Sequence, residues 1–237
     1  MTDTTSLTDR RRLEIPAIPE SAMTDELAMA LPTDPAPAPW DLVARSLVWW
    51  GRSGRGARDL VPPQIRRGGR TVGRIGAFVR YQSTPVGSYD EIIGAIAVRR
   101  GRGAVAHIPF IVVDSPASVL GGRANWLLPK GLASFSGDPG ADMTAHGDGW
   151  HVRATVRSFG PALPVNAAGG MFEQLDGYGV VHRSRMGRVR VRARLAVVTA
   201  EVEGSEELRS TVPDGRCIGA VLERFETTLP AAAPVGT

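Results

Sequence analysis

Apolar and polar residues alternate one for one along much of this 237-residue chain, and no other feature constrains its fold as tightly. Trp150, Val152, Ala154 and Val156 interleave with His151, Arg153, Thr155 and Arg157. Val189, Val191, Ala193 and Leu195 interleave with Arg188, Arg190, Arg192 and Arg194. A period of two sends successive side chains to opposite faces of a strand. Residues 41–50, 71–81 and 91–99 also read as strands, and Cys217–Leu229 as a last one. Ala104–Asp114 (AVAHIPFIVVD) is almost continuously apolar, as expected of a strand buried on both faces. Turns are marked by Asp148-Gly149, Gly169-Gly170 and Asp214-Gly215. Helices are few and short: residues 24–31, residues 59–67 broken at Pro62-Pro63, residues 117–125 and residues 170–176. The expected class is mostly β, a β-rich α+β domain over residues 41–230 built on a closed or strongly curved antiparallel sheet. Residues 1–40, with Pro32, Pro35, Pro37 and Pro39, form a Pro/Ala-rich tail or a strap across the domain, and residues 231–237 a C-terminal tail.

Several kinds of chemistry are excluded or demoted. Cys217 is the single cysteine, so an intramolecular disulfide and a multi-thiolate zinc site are ruled out. No apolar run reaches the ~18 residues of a membrane helix, and the polar N-terminus lacks the apolar core of a secretory signal. The expected location is cytoplasmic. There is no G-x-S-x-G elbow, no phosphate loop and no dinucleotide fingerprint. His146, Asp148 and His151 have ligand-like spacing but read as a hairpin, so no metal is expected. The arginine stripe at 188–194 reads as a solvated or oligomer-contact face, because no aromatic platform interleaves with it.

The net charge is +4, yet Lys130 is the only lysine among 28 Lys and Arg residues. A position that keeps Lys in so Arg-rich a chain points to something Arg cannot do. Arg stays protonated, whereas a buried Lys can release its proton and attack a ketone. Trp126, Leu127, Leu128 and Leu132 make the neighbourhood apolar, and burial is expected to lower the Lys130 pKa. Gly131 beside it lets the chain turn. Glu91 opens a hydrophobic strand, where an unpaired carboxylate is costly, and is a candidate general acid/base.

Together, VGSYDEII (86–93), the strand HIPFIVVD (107–114), DSPASVLGGR (114–123) and GGRANWLLPKGLA (121–133) resemble the acetoacetate decarboxylase family. The resemblance spans residues 45–230 as a pattern and is specific over 81–133. It implies that Lys130 forms a Schiff base with a β-keto acid and that Glu91 assists in proton transfer. It also implies a cone-like, β-rich barrel that assembles into homo-oligomers. No cofactor is expected, since the protonated imine is itself the electron sink. Arg52, near the first strand, and Arg123 are possible carboxylate clamps, Arg123 having a structural alternative. Tyr89 and Trp126 are expected to line the substrate.

Two positions depart from the decarboxylase pattern: the second lysine falls on Gly131, and a second acid falls on Gly76. The expected function is therefore a Schiff-base lyase acting on a small keto acid. The alternatives are an aldolase-dehydratase using pyruvate or another 2-oxo acid, and a non-catalytic β-barrel ligand-binding protein. Neither nucleic acid nor membrane is expected as a partner.

Overall fold

The computed structural model describes residues 15–236. Strand accounts for 56% and helix for 16%, which makes the chain mostly β. The strands are β1 (Trp40–Gly51), β2 (Arg70–Ser83), β3 (Tyr89–Arg100), β4 (Gly103–Val113), β5 (Lys130–Leu132), β6 (Ser134–Gly137), β7 (Asp142–Gly147), β8 (Trp150–Ala168), β9 (Met171–Leu175), β10 (Val181–Arg185), β11 (Arg188–Glu203), β12 (Gly215–Leu229) and β13 (Ala233–Pro234). They form one sheet in the order β13-β10-β9-β4-β3-β2-β1-β12-β11-β8-β7-β6, with β5 added to β4. Most pairs are antiparallel, but β5 and β9 both run parallel to β4. The helices are α1 (Asp25–Ala30), α2 (Arg55–Asp59), α3 (Pro63–Arg66), α4 (Pro116–Trp126) and α5 (Glu206–Thr211).

The sheet curves strongly without closing in its hydrogen bonds: its ends, β13 and β6, are not paired with each other. This corrects the expectation of a closed barrel. The curvature is evident in the main core, where Trp49, Phe78, Ile92 and Phe110 from one half of the strand order meet Met143, Val152 and Val198 from the other. Phe110 and Trp150 join the two halves edge to face, 5.6 Å between centroids. A second core lies under α4, where Trp40, Ile111, Trp126, Leu128 and Phe172 pack together.

One expected helix is a strand. Residues 170–176 hold β9, whose Met171–Leu175 pair with Arg185–Val181 of β10. Pairing with β10 on one side and β4 on the other overrides the local pattern, and four of the five side chains are buried. Of the expected helix over residues 59–67, only Pro63–Arg66 are helical as α3, which starts at Pro62-Pro63, while α2 ends at Asp59. At the arginine stripe, Arg194 and Arg192 meet Glu223 on the neighbouring strand, while Arg188, Arg190 and Arg192 are exposed. His146 and His151 face each other across the β7–β8 hairpin, and the described residues hold no cluster fit for a metal ion.

Ahead of β1, residues 15–39 lie across the sheet. Ile18 N–H donates to Pro109 O (3.2 Å), as does Ser21 Oγ (3.2 Å). The Glu20 carboxylate accepts from Ser205 N (2.7 Å) and Ser205 Oγ (3.0 Å) at the start of α5. Residues 1–14 of the expected tail lie outside the described residues.

Candidate active site

Four segments converge on Lys130. Helix α4 starts at Ser115, whose side chain caps Ser118 N–H (3.3 Å), with Pro116 in the first turn. It ends at Leu127, a non-glycine residue at φ 55°, where Leu127 N–H and Leu128 N–H bond back to Arg123 O and Gly122 O (both 3.2 Å). That reversal feeds Pro129 and Lys130 into β5, with Lys130 beside Ile111 of β4. Glu91 flanks β4 on its other edge, paired with Val113. The start of β3 is fixed by Asp114, whose carboxylate accepts from Asp90 N–H (2.8 Å).

Lys130 and Glu91 are 3% and 2% exposed. Lys130 Nζ donates to Glu91 Oε2 (2.6 Å) and to Ser118 Oγ (2.9 Å). Tyr81 OH donates to the other carboxylate oxygen, Oε1 (3.1 Å). The Tyr89 ring lies 5.1 Å from Nζ and 4.5 Å from the Tyr81 ring. The lysine stem crosses α4 over Gly122, where a Cβ would stand 2.5 Å from Lys130 Cδ. Burial raises the Tyr81 hydroxyl pKa well above its ordinary value, reinforced by the Glu91 charge. Burial also raises the Tyr89 pKa, partly offset by Lys130.

The lysine itself is a correction. Burial pulls its pKa down, but the adjoining Glu91 carboxylate more than reverses this, and the net direction is upward. The resting pair is an ammonium–carboxylate, so a free amine arises only when Nζ gives up a proton.

Of the other expected site residues, Tyr89 joins the cluster and three stand differently. Arg52 is exposed in the loop after β1. It follows Gly51, which pairs with Arg74 and through it with Ile96, five residues along β3 from Glu91. Strand rise makes that about 17 Å. Arg123 is fully buried, but its guanidinium donates to backbone: Nε to Lys130 O (2.8 Å) and Nη2 to Ser21 O (3.0 Å). Burial pushes its pKa down to about 10. It ties α4, β5 and the N-terminal strap together. Trp126 donates Nε1–H to Pro230 O (2.7 Å) and packs edge-on against Trp40, centroids 4.8 Å apart, inside the second core.

Sequence reasoning missed Ser118, Tyr81 and Gly122. A serine in the first turn of a helix reads as a cap. Tyr81 lies ten residues from Glu91 and reaches it only because β2 and β3 pair Tyr81 with Tyr89.

The two departures from the decarboxylase pattern have physical counterparts. A Cβ at Gly76 would stand 2.2 Å from the Trp49 ring, so that position is filled by Trp49. A Cβ at Gly131 would stand 3.3 Å from Ser21 Cα and 3.5 Å from Glu20 O, so a second lysine there would begin in contact with the strap.

A sequence model of the acetoacetate decarboxylase family matches residues 50–168, the span that carries both Glu91 and Lys130. The chain belongs to the acetoacetate decarboxylase family. Solved structures have the same fold. An acetoacetate decarboxylase superposes with a TM-score of 0.69 at 15% identity, covering 90% of this chain and 98% of that one. An acetoacetate decarboxylase-like enzyme from Sphingomonas wittichii RW1 gives 0.63 at 15%, covering 85% and 94%. The enduracididine biosynthesis enzyme MppR, in complex with pyruvate, gives 0.62 at 15%, covering 93% and 96%. No curated protein matches the chain in sequence.

Proposed function

We propose that this protein is a Schiff-base enzyme in which Lys130 condenses with the carbonyl carbon of a small substrate and Glu91 moves the protons. The observation that carries this reading is the buried 2.6 Å contact between Lys130 Nζ and Glu91 Oε2. The pair rests charged, and the short hydrogen bond gives the ammonium proton a direct path to the carboxylate. As it moves, the freed amine attacks the carbonyl. Glu91 then returns a proton to the carbinolamine oxygen, which leaves as water. The sum is Lys–NH3+ plus a carbonyl giving a protonated imine plus water. Glu91, again a carboxylate, stands next to the iminium nitrogen and can take a proton from the α-carbon, leaving an enamine. Ser118 Oγ holds Nζ during these steps, and Tyr81 OH holds the Glu91 oxygen that faces away from the lysine.

An enamine adds to a second carbonyl compound, the aldol or dehydration chemistry of the alternative reading. Two observations favour it over β-keto acid decarboxylation. Trp49 fills the site of the second acid, and Gly131, packed against the strap, stands in place of the second lysine. Pyruvate in the MppR complex is a carbonyl compound of the size this reading requires. The test is borohydride reduction in the presence of small carbonyl compounds, followed by peptide mass mapping. The expected result is one reduced adduct per chain at Lys130, absent in Lys130→Arg, which remains folded. Adduct only on the N-terminal amine, the other simple amine in the chain, overturns the reading.

A further inference from the structure

We infer that the keto acid taken up by Lys130 carries an apolar tail, an alkyl chain or an aromatic ring on the far side of its carbonyl, and that Ile93, Ala77 and Val48 receive it. This rests on the imine reading of Lys130 and adds the part of the substrate that does not react. The observation is a row of side chains on the face of the sheet that carries the lysine. Lys130 stands beside Ile111. Ile111 stands opposite Ile93, and Ile93 opposite Ala77. Ala77 stands opposite Val48, Val48 opposite Ala220, and Ala220 opposite Leu195. Directly paired residues share a face. From the amine onward the row is apolar across β4, β3, β2, β1, β12 and β11.

Nζ holds the reacting carbon beside this row. Its hydrogen bond to Glu91 Oε2 (2.6 Å) places the amine over β3, and Ile93 is the next residue of β3 on the same face. Ile93 has β2 and β4 on either side, so its half-buried state reflects space above its side chain. Ala44, Ala77 and Val79 pack with Val48, Tyr81, Ile93 and Phe225, all from the four adjacent strands β12, β1, β2 and β3. On the opposite face Phe78 and Ile92 are fully buried with Met143 and Val198 from the far half of the sheet. Ala77 is the smallest side chain between Ile93 and Val48, and it leaves the way open where a tail departs from Glu91. Two strand spacings, about 10 Å, lie between β3 and β1, enough for a hexyl chain. Farther on, Leu195 is 56% exposed, so the row opens to solvent. An apolar chain on such a track gains about fourfold in affinity for each methylene it buries.

Pyruvate and 2-oxooctanoate share the reacting head and differ only in the tail, methyl against hexyl. Each is incubated, far below saturation, with the full chain and cyanoborohydride. The adduct at Lys130 is quantified by peptide mapping, and the rate is divided by that of Nα-acetyl-lysine under the same conditions. The division removes the intrinsic difference in carbonyl reactivity. 2-Oxooctanoate is expected to label Lys130 at least ten times faster than pyruvate. In Ala77→Leu, checked for folding by thermal melting, this ratio is expected to fall at least threefold. Val48→Phe, one strand farther along the row, carries the same test if Ala77→Leu does not fold. A ratio below ten in the parent chain, as a second copy of the chain seated on the row would give, overturns the tail inference and leaves the imine reading standing. A smaller fall in the folded variant overturns the tail inference as well. Labelling confined to the N-terminal amine with both probes overturns both readings.

Discussion

Gly122 carries a demand that only the lysine explains. It lies inside α4, where alanine is favoured over glycine by about 1 kcal/mol. Its missing Cβ leaves the channel through which the Lys130 stem runs, with Cδ at 2.5 Å and Cε at 2.8 Å from where a methyl would sit. The flexible stem is what must yield when that space is filled. Gly122→Ala is therefore expected to fold, its helical gain offsetting part of the packing cost. Nζ leaves its place between Glu91 and Ser118, and trapping by borohydride falls tenfold or more. Thermal melting checks the first part and adduct mapping the second; an unchanged trapping rate refutes the stem's dependence on Gly122.

At the scale of elements, the N-terminal strap closes the lysine site. Helix α1 has six residues, too few to stand alone, and Thr24 Oγ1 caps it by accepting from Leu27 N–H (3.1 Å). It is held by packing, with Leu27 against Tyr89 and Val119, and by Glu20 on Ser205 and Ser21 O on Arg123. Leu27→Ala removes the one buried side chain of α1 at a cost of about 2 kcal/mol. The strap then leaves Tyr89 more often, and the expected outcome is a several-fold faster trapping of Lys130 by a small ketone. Equal rates in Leu27→Ala and the parent chain rule out the strap as a gate.

At the scale of the whole molecule, the sheet has a weak seam. Strands β9, β10 and β13 join the rest through β4, where the backbone pairing is Ala106 with Phe172 alone. Buried polar side chains reinforce it. Gln174 accepts from Ile108 N–H (3.2 Å) and donates to Ile108 O (2.7 Å). His107 Nδ1–H donates to Glu173 O (3.2 Å), and the Glu173 carboxylate holds Arg100 and Arg183. Burial lowers the His107 pKa from 6.5 to about 4. A His depressed in the folded state contributes stability that is fully present above pH 6.5 and is lost as pH falls toward 4, because the unfolded chain binds the proton first. The loss is about 3 kcal/mol. His107→Asn keeps a donor for Glu173 O without a titrating ring. Urea midpoints at pH 7 and pH 4.5 are expected to differ less in the variant than in the parent chain. An equal acid shift in both shows that His107 does not govern the seam.

The sequence by itself determined the seven long strands, β1 to β4, β8, β11 and β12, and the two charged partners. Alternation is a local property, and it marked β8 and β11 where they begin; the continuous run of β4 was equally local. Lys130 stood out because it is the only lysine, and Glu91 because an acid that opens an apolar strand needs a partner. Tertiary structure decided the rest. Residues 171–175 became a strand because β10 and β4 lie on either side of them. Ser118 and Tyr81 entered the site because α4 and the β2–β3 register carry them there, across 12 and 10 residues from their partners. Arg123 was drawn to carbonyls by its complete burial, and Arg52 was carried away by the length of β1. The direction of the Lys130 pKa was set in space as well: composition predicts burial, but only the fold brings the Glu91 carboxylate to 2.6 Å, where its attraction outweighs the desolvation that sequence reasoning foresees.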